Sequence, residues 1–261
     1  MSDTSAPKGR LAIVGTGPGG TDWMTPEVVS LVGGATDLVG YGPYLDLLGS
    51  LADGKTRHAS DNRQEIDRAT FALSLAAEGR AVAIVSSGDP GVFGMAAAVF
   101  EVLDREPRWR AIDVVVAPGI SAMLAAASRA GAPLGHDFCV ISLSDILKPW
   151  AVIERRLTAA ASADFVVAIY NPASSQRPWQ LDRARALLLE HRRPETPVIL
   201  ARSLGRAGEA LRVIQLGDLT VADVDMRTLV IVGSSQTRLI PRERGAPWVY
   251  TPRRYPAEDG P

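Results

Sequence analysis

Short apolar runs alternate with alanine-rich amphipathic stretches along the whole of this chain, and that alternation points to one class of fold, α/β. Strands are expected at 11–14, 37–40, 81–86, 112–116, 138–143, 165–170, 198–202, 211–216 and 229–233, and helices at 26–32, 63–78, 92–105, 121–129, 150–160 and 179–190. The cluster "RAGAPLGHD" at 129–137 breaks both periods and reads as a linker, giving an expected first domain over 1–131 and a second over 136–250. Within the second, the runs at 198–202 and 211–216 leave little room for a helix, which predicts a mixed sheet with antiparallel neighbours. The proline-rich, charged tail 251–261 is expected to fray.

Composition removes several classes of function. A length of 261 residues with 46% hydrophobic and 22% charged side chains suits one large or two compact globular domains. No apolar run is long enough to span a bilayer, and "MSDTSAPKGR" lacks the apolar core of a signal peptide, so a cytoplasmic protein is expected. A net charge of -1 argues against a general nucleic-acid or membrane surface. The single Cys139 has no disulfide partner and, with three histidines far apart, no metal site is expected; its setting "DFCVISL" reads as a buried thiol. Lysine occurs only at Lys8, Lys55 and Lys148. The predominance of arginine reflects either genomic base composition or recognition of a polycarboxylate by its planar fork.

Four loops follow expected strands, the place where ligands of α/β sheets bind. The first, "GTGPGGTDWMTP", contains Gly15, Gly17 and Gly20 in the G-x-G-x-x-G spacing of a dinucleotide fingerprint. A helix opening among these glycines would hold Pro26 in its interior, where proline removes a hydrogen bond and clashes with the preceding turn. Thr25-Pro26-Glu27 reads instead as a helix start of its own, with Thr25 as N-cap. Asp37 lies at about the spacing of a ribose-binding acid but precedes its strand rather than ending it. The second loop, "VSSGDPGVFGM", offers main-chain amides and the carboxylate of Asp89, which suits either a ligand hydroxyl or cation or the cap of the following helix. In the third, "APGISAM", Ser121 can cap a helix; in the fourth, "AIYNPAS", Asn171 can satisfy the turn. No G-x-S-x-G, H-E-x-x-H or P-loop motif occurs, and His58, His136 and His191 lack obvious partners. Such a chain suits an enzyme whose chemistry is carried by a reactive cofactor.

Taken in order, the glycine loop with "WMTPE", then "SSGDPGVFGM", "PGISA" and "IYNPAS", resembles the tetrapyrrole methylases, S-adenosylmethionine-dependent enzymes that act on uroporphyrinogen and corrin precursors. Longer stretches, "VGYGPYLDLL", "GHDFCVISLSDILKPWAVIERRL", "YNPASSQRPWQL", "ARSLGRAGE" and "VGSSQT", resemble the branch acting at C17 in cobalamin biosynthesis, with small departures at Ile146, Lys148 and Ser234. The resemblance implies two α/β domains of the class III methyltransferase type, with the cofactor in a cleft between them. It implies methylation of precorrin-3B at C17 with ring contraction to precorrin-4, S-adenosylhomocysteine as product, and a homodimer. Carried over by position, Pro18, Ser87, Gly88, Asp89, Val92, Phe93, Ser121, Ala122, Tyr170 and Asn171 line the S-adenosylmethionine pocket, with Ser203, Leu204 and Thr237 closing it. Ring contraction needs a hydroxyl proton removed, for which His136, Asp145 and Tyr44 are candidate bases. Arg63, Arg129, Lys148, Arg177, Arg202 and Arg206 are candidates for the carboxylates of the tetrapyrrole. The competing readings are a methylase acting on another corrin carbon, on cobalt-precorrin-3, or on protein or RNA, and, from other classes, an NAD(P)-binding oxidoreductase or a non-catalytic nucleotide-binding module.

Overall fold

The computed structural model describes residues 9–61, 64–174 and 176–255. The chain divides into two compact units, Met1–Ala122 and Met123–Pro261. The segment 129–137 therefore lies inside the second unit, and Gly131 and Ala132 there form a strand rather than a linker.

In the first unit, strands β1 (Arg10–Gly15), β2 (Asp37–Tyr41), β3 (Thr56–Ser60), β4 (Ala81–Ser86) and β5 (Asp113–Ala117) form one sheet in the order β3-β2-β4-β1-β5. All its pairings are parallel. Parallel strands covered on both faces need apolar side chains in both directions. That explains the unbroken run Leu11-Ala12-Ile13-Val14: Leu11 and Ile13 enter one core and Ala12 and Val14 the other. Helices α3 (Glu65–Ala77) and α4 (Met95–Arg105) cover the first face, and α1 (Pro26–Gly34) with the short α2 (Gly42–Asp46) covers the second. Helix α1 starts where the sequence places it: the Val28 amide donates to Thr25 Oγ1 at 3.2 Å, and Pro26 occupies the first turn.

Asp37 sits at the amino end of β2, its side chain fully buried. His58 Nε2 lies 2.8 Å from its Oδ1, while Thr36 Oγ1 and Arg80 Nε each donate to Oδ2 at 2.7 Å. His58 thus has a partner that the sequence did not reveal, and Asp37 ties strands together at the end of the sheet away from the ligand loops.

The second unit begins with α5 (Ala122–Ala130), whose first residue closes the first unit, and β6 (Gly131–Ala132). Its main sheet contains β7 (Phe138–Ser142), β8 (Val166–Tyr170), β9 (Pro197–Arg202), β10 (Ala210–Gln215) and β11 (Thr228–Val232) in the order β10-β9-β11-β8-β7. β7 and β8 are parallel, while β11 runs against both β8 and β9, and β10 against β9. This is the mixed sheet expected from the short spacing of the late runs. Helices α6 (Trp150–Ser162) and α7 (Gln180–Leu189) cover it through Ile153, Leu157, Leu181 and Leu188. β12 (Arg238–Ile240) pairs with β13 (Trp248–Tyr250), and β13 with β6, in a small third sheet. Thr251, read from sequence as the start of a loose tail, is buried and donates to the Pro133 carbonyl at 2.7 Å. Tyr255 donates to Asp164 Oδ2 at 2.6 Å, so the tail is fixed at least that far.

Candidate functional site

In the first unit the loops after β4, β1 and β5 emerge side by side, because these strands are neighbours in the sheet. They are bound to one another largely through main chain. The Gly17 amide donates to the Gly88 carbonyl at 3.1 Å and the Gly88 amide to the Gly17 carbonyl at 2.7 Å, while Ser87 Oγ donates to Gly17 O at 3.3 Å. Asp89 joins the third loop: its Oδ2 accepts from the Gly119 amide at 3.1 Å and its Oδ1 from the Gly91 amide at 2.8 Å. A Cβ on Gly119 would stand 2.2 Å from Gly88 O, so only glycine permits this approach. Asp89 is consequently a tie between loops and not the helix cap.

The expected helix over 92–105 starts three residues late, at Met95. Phe93 has φ of +53°, a left-handed conformation incompatible with the first helical turn, and Gly94 serves as the N-cap residue. Phe93 is exposed. Pro18 and Ser121 are buried, Ser87 to Asp89, Val92 and Ala122 half-buried. Beside these loops lies a pocket of about 120 Å³ whose lining includes Tyr44, Glu65, Arg68, Ser87 and Phe93.

The second unit presents its own set at the carboxyl ends of β7, β8 and β9. Tyr170 Oη accepts from the Met123 amide at 3.1 Å. Asn171, with φ of +51°, donates through Nδ2 to Ser142 Oγ at 2.9 Å, and its carbonyl accepts from Arg177 Nη1 at 2.8 Å. Ser203 has φ of +50°, and Leu204 beside it is buried. Non-glycine residues in this region cost about 1–3 kcal/mol and persist where the surroundings impose them. Three of the four among the described residues, Phe93, Asn171 and Ser203, fall at positions that the resemblance assigned to the cofactor.

Thr237 does not join the residues at the carboxyl ends of β8 and β9. It follows β11, which runs against β8, and so lies at the other end of the sheet; it is buried, with Oγ1 accepting from the Ser234 amide at 2.9 Å and 2.9 Å from Thr251 Oγ1. The candidate bases divide in the same way. Asp145 follows β7, and its Oδ2 accepts from Gln180 Nε2 at 3.0 Å. His136 precedes β7, its Nδ1 accepting from the Asp137 amide at 2.7 Å and its ring packed edge-on to Tyr255 at 4.9 Å. Five residues of strand, about 17 Å, separate the two. Tyr44 lines the first unit's pocket.

Among the expected cationic residues, Arg63 lies outside the described residues. Arg129 pairs with Glu209 at 3.5 Å and Arg202 with Asp225 at 2.9 Å. Arg177 is buried under the Asn171 carbonyl; burial pushes its pKa down and the Asp145 charge offsets part of that. Lys148 is likewise pushed down, by burial and then by Arg156. Arg206 is half-buried in the loop after β9. Cys139 is half-buried against the second unit's core rather than fully buried as expected, and burial raises its thiol to about 11.

Sequence reasoning missed two residues. Arg68 is a charge on the buried stripe of α3 formed by Ala69, Ala72 and Ala76, a signal present in the sequence. Gln180, which orients Asp145 and keeps its own Oε1 buried without a hydrogen-bond partner among the described residues, left no local signal.

Among the described residues, no three His, Cys, Asp or Glu side chains stand together as a metal site, and no helix is long and apolar enough to cross a membrane. Residues 10–220 match the family model of the Tetrapyrrole (Corrin/Porphyrin) Methylases. The chain is 53% identical over 248 residues to a Sinorhizobium precorrin-3B C(17)-methyltransferase, covering 95% of this chain and 97% of that one. It is 43% identical over 227 residues to a probable cobalt-factor III C(17)-methyltransferase of Salmonella typhimurium, covering 87% and 93%. The crystal structure of the methyltransferase CobJ superposes with a TM-score of 0.87 at 50% identity, covering 94% of this chain and all of that one.

Proposed function

The chain belongs to the tetrapyrrole methylases, and on that premise we infer that it methylates C17 of precorrin-3B from S-adenosylmethionine, contracting the ring to precorrin-4 and releasing S-adenosylhomocysteine. The observation that carries this reading is the joining of three loops through main chain at the ligand end of the first unit's sheet, in a protein similar to the Sinorhizobium enzyme along nearly its whole length.

The residues present fit the donor. Ser87 to Asp89 and Val92 are half-buried and Phe93 is exposed at the ligand end of the first unit's sheet, which leaves that surface reachable by a ligand. When bound, S-adenosylmethionine supplies a methyl group already activated on a sulfonium centre. Pro18, Ser87 to Asp89, Val92, Phe93, Ser121 and Ala122 of the first unit hold and orient it in this reading. Their task is alignment and exclusion of water, and alignment alone supplies about 7–11 kcal/mol in favourable cases.

Asp145 is the base that this reading prefers for the proton lost in ring contraction. Gln180 holds its carboxylate, and it stands at the end of its sheet that also carries Tyr170 and Asn171. Arg129, Lys148, Arg202 and Arg206 serve the carboxylates of the acceptor, and Arg177 positions Asn171 rather than touching substrate. The higher identity to the precorrin enzyme than to the cobalt-factor enzyme favours a cobalt-free acceptor. A cytoplasmic homodimer completes the reading.

Calorimetric titration with S-adenosylhomocysteine, and separately with NAD(H), tests the class. Binding of the former alone is expected. Binding of NAD(H) alone overturns the reading.

A further inference from the structure

We propose that the pocket beside the first unit's loops is a carboxylate subsite anchored by Arg68, a residue to which neither the motifs nor the resemblance gave a role. Arg68 is 5% exposed. Among the described residues, all three of its hydrogen bonds go to neutral acceptors: Ser60 Oγ at 2.8 Å, the Asp61 carbonyl at 2.5 Å and the Met95 sulfur at 3.3 Å. A guanidinium carries five N–H groups, and a thioether is a weak acceptor for one of them. No carboxylate lies within ion-pairing distance of Arg68 among the described residues, whereas Arg192, the comparably buried arginine of the second unit, is paired with Asp164 at 3.0 Å. Glu65 lines the same pocket but is exposed to solvent and outside that distance.

The Glu65 charge supports the guanidinium from a distance, but a buried cation without a paired carboxylate is costly, and an arriving carboxylate would relieve that cost with a two-pronged contact. The cavity of about 120 Å³ admits a carboxymethyl or carboxyethyl arm and excludes a macrocycle. It shares Ser87 and Phe93 with the loops assigned to the methyl donor, so the arm enters next to the reacting region. Two ligands of the proposed reaction carry this chemistry: the acidic side chains of the tetrapyrrole and the amino-acid carboxylate of the donor. The subsite thus rests on the functional reading above and refines it.

The test uses the full chain and two variants, Arg68→Gln and Arg68→Lys, each first checked by circular dichroism and melting. Uroporphyrin, an eight-carboxylate tetrapyrrole, is titrated by fluorescence at low salt; S-adenosylhomocysteine and 5′-methylthioadenosine, which lacks the carboxylate, are titrated calorimetrically. Loss of the fork is expected to weaken one carboxylate ligand about tenfold or more, with a flatter salt dependence. A loss confined to uroporphyrin assigns the arm to the acceptor. A loss for S-adenosylhomocysteine, with 5′-methylthioadenosine unchanged, assigns it to the donor. Should Arg68→Gln not fold, Arg68→Lys is expected to show a severalfold loss, since an ammonium cannot reproduce the fork. Unchanged affinity for both carboxylate ligands in a folded variant overturns the proposal and leaves Arg68 a tie between β3, α3 and α4. If the wild-type protein binds no S-adenosylhomocysteine, the methylation reading falls, yet the uroporphyrin titration still decides the subsite; binding of neither ligand overturns both.

Discussion

Asp89 and Gly119 are joined across two loops of the first unit, the carboxylate of one accepting the amide of the other at 3.1 Å. The bond places a charged acceptor where two strand ends deliver bare main chain. Asp89→Ala is expected to cost about 1–3 kcal/mol of stability and to weaken S-adenosylhomocysteine at least tenfold, read by melting and calorimetry.

Gly119→Ala attacks the same junction from the other side. Its Cβ would meet Gly88 O and Gly15 O at 2.2 and 2.4 Å, and both are main-chain atoms with no rotamer to yield. A loss of about 1–3 kcal/mol or more is expected, with donor affinity falling alongside it, and a variant melting as the wild type would contradict the packing.

The separation of Asp145 from His136 by the length of β7 means that the two do not share one reaction centre. Asp145→Asn is expected to lower the turnover of ring contraction by about 10²-fold or more, whereas His136→Ala should leave it within a few-fold. Single-turnover kinetics with the precorrin substrate separates the two outcomes.

Asp37 gives the fold an acid limit. Burial alone would raise its pKa, but hydrogen bonds from His58, Thr36 and Arg80, with the Arg80 charge, outweigh burial and hold it below the ordinary value. Its stabilisation is therefore complete above the usual carboxylate range and lost as pH falls through the lowered value, below about pH 4. Asp37→Ala should destabilise by about 3 kcal/mol near neutrality, and the gap to wild type should narrow in acid, as thermal melts across pH will register.

Tyr255 sets a limit at the alkaline side. Burial, then the hydrogen bond to Asp164 and that residue's charge, push its phenol up to about 12. The folded state retains this proton where the unfolded chain has released it, so the stabilisation is full below about pH 10 and disappears as pH rises toward 12. Absorbance near 295 nm should show a late-titrating tyrosine that Tyr255→Phe removes.

Much of the architecture was legible because buried strands need apolar residues in succession: all nine of the expected runs became strands. The strands that escaped notice have little to bury. β3, reading Thr-Arg-His-Ala-Ser, lies at a sheet edge, and β6, β12 and β13 have two or three residues each. The late start of α4 follows from Phe93, whose left-handed backbone no propensity for phenylalanine foretells. Motif order located the loops, but which end of a sheet a residue occupies depends on strand direction. That is why Thr237 and His136 were grouped with residues at the opposite end.

Gly15 and Gly119 are each confined by the main chain of the other and of Gly88, in a way that bears on how such a protein can change over time. An added methyl on Gly15 meets the main chain of the other two, and one on Gly119 does the same, so no compensating side-chain substitution elsewhere relieves the clash. Positions locked through backbone cannot drift in concert as paired core residues do, and methods that infer proximity from correlated change will be blind to this junction, however closely its parts touch.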